Sequence, residues 1–173
     1  KEYRRQRQMC IRDRDAPLHT RLRTAIQGAF TSRSSIDAME PFIRRKTTAL
    51  LDAVSADGHM DLIEDLAYPL TSAVIANLLG MPQSDLDRVQ GWADAVAPIM
   101  FMTPGVKDRY AVARAQLEDM AAYFGGLRSD RETDPKDDLI SALAKARAQG
   151  TLSEREVIAT CMVVIFGGHE TTK

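Results

Sequence analysis

The chain has 173 residues, 45% hydrophobic and 27% charged, with 23 Lys and Arg against 24 Asp and Glu for a formal net charge of −1. That length suits one ordinary domain or a piece of a larger one, and the composition excludes a disordered tail or a fibrous repeat. Two cysteines exclude a disulfide scaffold and a four-cysteine zinc site; with no apolar run of roughly 18 residues and no secretory signal pattern, a soluble, cytoplasmic protein is expected.

Residues 1–14 (KEYRRQRQMCIRDR) hold six Lys or Arg against two acids, a net of +4, so the remainder carries −5. Such an arm can contact nucleic acid or anionic lipid, or be a solvated or extraneous end. It lacks the interleaved aromatics of single-strand binders and an apolar face fit for a membrane, so it is set apart from a domain at 15–173.

From Asp15 onward the pattern is mainly α. Pro17 suits a first helical turn, and Leu18, Leu22, Ala25, Ile26 and Ala29 share one face. After a polar break at Thr31 to Ser35, Met39, Phe42, Ile43, Leu50 and Val54 mark a second helix that stops near Asp57-Gly58. Met60 to Ile63 could pair as a strand or lead into the next helix. That helix starts near Pro69, carries Leu70, Val74, Ile75, Leu78 and Leu79, and stops at Gly80 and Pro82. The next begins near Ser84-Asp85 and buries Leu86, Val89, Trp92 and Val96. Pro98 to Gly105 reads as a loop, yet Ile99, Met100, Phe101 and Met102 are bulky and apolar; they either fold inward as core or line a pocket or membrane contact. A long helix with Tyr110, Ala113, Leu117, Met120 and Phe124 follows. Ser129 to Asp138 is a polar connector, and Asp134-Pro135 starts a helix with Leu139, Ile140 and Leu143 that ends at Gln149-Gly150.

The last helix has the clearest local signal. Ser153 and Glu156 form a capping box, and Leu152 can staple to Val157. Val157 to Phe166 is apolar on every face except Thr160, so the helix must be enclosed by a larger body. Gly167-Gly168-His169-Glu170-Thr171-Thr172 follows. Glycines in a helix interior each cost about 1 kcal/mol relative to Ala, which points to something approaching the backbone. A zinc-hydrolase pattern fails because Lys173 stands where a second His is needed, and a phosphate loop fails because the glycines follow the helix. Glu170 and Thr171 as a proton-passing acid–alcohol pair, or a plain glycine-capped helix end, remain open.

This motif resembles the central I helix of cytochrome P450 monooxygenases, Ala/Gly-Gly-x-Glu/Asp-Thr-Thr. Upstream, Asp15-Ala16-Pro17-Leu18-His19-Thr20-Arg21-Leu22-Arg23, continuing to Ala29-Phe30-Thr31, resembles the family's C-helix segment, with Ala16 replacing a usual Pro. Ala67-Tyr68-Pro69-Leu70 with Leu78-Leu79-Gly80-Met81-Pro82 is similar to its E helix and the turn into F, and Asp137 to Leu143 to its H-helix entry. The resemblance runs from Asp15 to Thr172 and implies helices C to I of a P450 fold, an internal piece lacking the heme-thiolate loop, the K helix and the main β-sheet.

It further implies heme b as cofactor, gripped at its propionates by His19 and Arg23, with Gly167 and Gly168 leaving room on the distal side. Thr171 would hydrogen-bond the dioxygen being reduced, and Glu170 would supply protons for O–O cleavage. Met100 and Phe101, on the F–G connection, and Val163 and Phe166 would line the substrate pocket. The implied parent enzyme inserts one oxygen atom from O2 into a small organic substrate, using electrons from a ferredoxin and ferredoxin reductase, with no nucleic acid and no membrane partner. The ligating Cys is not among these residues: Cys10 and Cys161 lack the family's glycine-rich surroundings, and Arg131-Glu132-Thr133-Asp134 has the wrong order for its E-x-x-R. These residues alone are therefore expected to be inactive, marginally stable and prone to self-associate. An all-helical regulatory or interaction domain with a basic nucleic-acid-binding arm is the alternative.

Overall fold

The computed structural model describes residues 15–31, 33–105 and 107–169. Among them there is no strand, and the elements are α1 (Leu18–Thr31), α2 (Arg33–Val54), α3 (Tyr68–Leu79), α4 (Leu86–Met100), α5 (Arg109–Thr133), α6 (Leu139–Ala148) and α7 (Glu154–His169). The mainly α class is as expected. On α1, Leu22 is buried and Leu18, Ala25 and Ile26 pack beside it, the face the spacing predicts. The polar break is narrower than expected, since α2 already begins at Arg33. Met39, Phe42, Ile43, Leu50 and Val54 are all half-buried, so α2 lies on the surface rather than in the core.

Met60 to Ile63 resolves to a helix entry. The Asp61 carboxylate accepts from the amides of Ile63 and Glu64, which starts a π-helical turn, Leu62–Ala67, that runs straight into α3. The joined rod Leu62–Leu79 is long and apolar enough, by length and composition, to cross a membrane, which corrects the count made from uninterrupted apolar runs. Glu64 and Asp65 break the apolar run but not the helix. Thr71, Ser72, Ala73, Ile75, Ala76 and Leu79 of α3 are buried against the rest of the molecule, and the other two thirds of the rod are not.

α3 ends in a Schellman motif. Gly80 takes φ +77°, its amide donates to the Asn77 carbonyl, and the Met81 amide donates to that of Ala76. α6 ends the same way: Gly150 has φ +72°, its amide donates to the Arg147 carbonyl and the Thr151 amide to that of Ala146. Both stops were legible because each rests on one glycine and its own helix.

Three further boundaries, at the ends of α4 and α5 and the start of α6, differ from expectation. Pro98 lies inside α4, which continues to Met100, and α5 continues through the expected connector to Thr133. The α5 extension is held by partners distant in sequence. Arg131 Nε donates to Asp138 Oδ2 at 2.7 Å and its Nη2 to the Gly80 carbonyl at 2.8 Å, with both charged side chains under 10% exposed. Arg128 Nη1 pairs with Glu132 at 2.7 Å and Nη2 with Glu154 at 3.4 Å. Asp138 also accepts from the Ser141 amide, so α6 starts at Leu139 rather than at Pro135.

The core lies where α3, α4, α5, α6 and α7 meet. Trp92, Met120, Phe124, Leu79, Leu143, Val157 and Ile165 are each no more than 1% exposed. Trp92 Nε1 donates to Asp119, whose carboxylate is also bound by Arg88; those bonds hold the Asp119 carboxyl below its ordinary pKa.

Candidate functional site

The first turn of α7 is built as the sequence predicts. Glu156 Oε2 accepts from the Ser153 amide at 2.8 Å, and the Glu156 amide donates to Ser153 Oγ at 3.3 Å. Leu152 and Val157 are buried together in the core cluster. The other oxygen of Glu156 accepts from Arg21 Nη2, while Arg21 Nη1 donates to the Thr151 carbonyl at 2.7 Å. α1 is thereby fastened across the α6–α7 connection.

α7 presents two faces. Val157, Thr160, Cys161, Val164, Ile165 and His169 are buried, whereas Val163 and Phe166 are half-buried and Gly167 is exposed. Val163, Phe166 and Gly167 follow an i, i+3, i+4 spacing and share the more open side. The two glycines differ. A Cβ at Gly168 would overlap Cδ1 of Ile75, so what approaches the backbone there is a side chain of α3; a Cβ at Gly167 would meet nothing. Only at Gly167 is there open room beside the α7 backbone. The two concavities at Pro104–Ala111 and between α1 and α6 lie away from this face.

His19 and Arg23 project from one flank of α1, one turn apart, with His19 half-buried and Arg23 exposed. Among the described residues neither side chain makes an ion pair, so this pair of N–H donors fits two carboxylates such as heme propionates. The strap at Glu156 ties α1 to the first turn of α7, about 16 Å along the helix axis from Gly167. Cys161 does not fit an iron-ligating role. It is 0% exposed within the core cluster, and burial pushes its thiol up to about 12, whereas a ligand must be a thiolate. Among the described residues no cluster of His, Cys, Asp and Glu could hold a metal ion.

Met100 and Phe101 are 50% and 59% exposed at the end of α4 and beyond it, and Met102 is 81% exposed, so these three are not core among the described residues, while Ile99 is half-buried. Glu170 and Thr171, and the basic arm at 1–14 with Cys10, lie outside the described residues.

Sequence reasoning missed His169 and Arg21. His169 entered it only as half of a failed zinc motif, yet it is fully buried, with Nδ1 3.1 Å from Ser72 Oγ and 3.3 Å from Thr71 Oγ1. No local signal marks either residue, because their partners are 97 and 135 positions away.

No family model matches the chain. Its sequence is 37% identical over 158 residues to the biotin biosynthesis cytochrome P450 of Bacillus subtilis, covering 90% of this chain and 39% of that protein. It is also 37% identical over 159 residues to nocardicin C N-oxygenase of Nocardia uniformis, covering 91% and 38%. The fold matches the crystal structure of P450BioI in complex with a hexadec-9Z-enoic acid-ligated acyl carrier protein, with TM-score 0.86 and 34% identity over 94% of this chain and 42% of that one. The chain thus spans about two fifths of the length of the relatives it matches. Sequence and helical architecture agree, and the chain belongs to the cytochrome P450s, carrying part of their fold.

Proposed function

We propose that the protein containing this chain is a cytoplasmic, heme b-dependent monooxygenase that inserts one oxygen atom from dioxygen into a small organic substrate. The observation that carries this reading is the pairing of two elements: α1 with His19 and Arg23, which make no ion pair among the described residues, and α7 with an open face at Val163, Phe166 and Gly167. Heme, when bound, supplies the activation of dioxygen.

His19 and Arg23 would hold its propionates by hydrogen bonds to their carboxylate oxygens. Gly167 keeps side-chain bulk out of the distal space, while Gly168 is reserved for the crossing with α3. Val163 and Phe166, with Met100 and Phe101 from the α4–α5 connection, orient the substrate and exclude water. Glu170 holds a proton at its carboxyl and passes it through the Thr171 hydroxyl. The ligating thiolate comes from elsewhere than Cys161, so residues 15–173 alone turn over no substrate. Electrons come from a ferredoxin and its reductase. The nucleic-acid alternative rests on residues 1–14 and has no support from the relatives, which are P450s.

The test is expression of the full reading frame with heme precursor, followed by the spectrum of the reduced protein under carbon monoxide. A Soret band with the shift of a thiolate-ligated heme is expected, and Arg23→Ala should lower heme retention. Absence of heme binding, with salt-sensitive DNA binding instead, would reverse the assignment.

A further inference from the structure

Three groups of α3 converge on one ring at the end of α7. The Tyr68 ring meets His169 edge-on at 4.4 Å, and the Thr71 and Ser72 hydroxyls both lie within hydrogen-bond distance of Nδ1. Each hydroxyl also reaches the Tyr68 carbonyl, Ser72 at 2.9 Å and Thr71 at 3.2 Å, in both cases closer than its contact with the ring. A hydroxyl has one hydrogen. In the arrangement where each hydroxyl donates to that carbonyl, only oxygen lone pairs face the imidazole, and Nδ1 carries the proton and donates. One residue earlier, Gly168 brings the α7 backbone against Ile75. That contact sets how close the helices come, and a directional polar contact beside it sets how α7 is turned. An apolar side chain could fill the same volume but could not fix the rotation.

We propose that His169 is a positioning residue: as the Nδ1–H tautomer it latches to Thr71 and Ser72 the last described turn of α7, the turn that Glu170 and Thr171 follow in the chain. The proposal rests on reading Glu170 and Thr171 as the proton-delivering pair. The chemistry belongs to those two groups, and His169 acts through them.

The test uses the full-length, heme-loaded protein and three variants. His169→Phe keeps a ring against Tyr68 and loses the donor. The double change Thr71→Val and Ser72→Ala removes the acceptors without touching α7. His169→Asn returns an N–H near the position of Nδ1–H. The first two should speed amide exchange in the last turn of α7 by about fivefold, the loss of one net hydrogen bond. They should also send a larger share of consumed electrons to hydrogen peroxide at unchanged substrate affinity, and His169→Asn should restore both. Nitrogen NMR of the wild-type ring should show the proton on Nδ1. If His169→Phe fails to fold, the α3 double variant carries the same expectation. Unchanged exchange in the α3 double variant, no rescue by Asn, or a proton resident on Nε2 would overturn the latch. A protein without a thiolate-heme spectrum would instead sink the monooxygenase reading, and the exchange and NMR arms would still judge the latch.

Discussion

Gly80 and Gly105 both follow a helix with left-handed backbones, φ +77° and +80°, in sequence surroundings that look alike, Leu-Gly-Met-Pro and Thr-Pro-Gly. Their settings are opposite. At Gly80 a Cβ would overlap the Asp138 carboxylate, the carbonyl is taken by Arg131, and three helices meet. At Gly105 a Cβ would meet nothing, and the neighbouring Phe101 and Met102 are exposed, the latter itself left-handed at φ +50°. The same residue types make a locked joint in one place and an open one in the other. What separates them is whether distant chain supplies partners for the groups the break exposes.

That contrast can be broken first at Arg131. Arg131→Met leaves the Asp138 carboxylate buried and its pairing lost, and the expected destabilisation is about 3–5 kcal/mol by denaturant unfolding of the intact protein. An unchanged midpoint would show that the junction is no joint at all. The next test sets the two glycines against each other. Gly105→Ala should cost about 1–2 kcal/mol for its left-handed backbone alone, and Gly80→Ala measurably more, because Asp138 must also move. Equal costs would mean that the carboxylate yields freely. The smallest effect belongs to the open side: Phe101→Ser should change stability by no more than about 0.5 kcal/mol, while weakening substrate binding if the residue faces substrate. A large loss of stability would instead place Phe101 in a core that these residues do not form.

Features with local causes were legible in the sequence. The capping box needs only Ser153 and Glu156, the glycine stops need only Gly80 and Gly150, and the apolar faces of α1 and α4 follow from periodicity. The tail of α5 was not legible, because Arg131 and Glu132 read as polar connector until Gly80, Asp138 and Arg147 are placed beside them. Pro98 was misread as a helix stop for a related reason. An interior proline removes one donor and crowds the carbonyl four residues back, yet α4 continues through Pro98 with the Phe101 amide donating to the Ala97 carbonyl. In the site, the spacing of His19 and Arg23 could be read in advance, whereas α7, apolar on every face except Thr160, gave no local sign of which side would be the open one. The different fates of Gly167 and Gly168 could not be read either, since they depend on where Ile75 comes to rest.

Glu156 divides its carboxylate, one oxygen closing the first turn of α7 and the other receiving Arg21. Arg21 lies midway between His19 and Arg23 in the chain. The pair assigned to the propionates and the start of the long helix are therefore geared together through one acidic group. Neutralising Glu156 would loosen both at once, so heme retention and the seating of α7 should fail as a unit rather than one after the other.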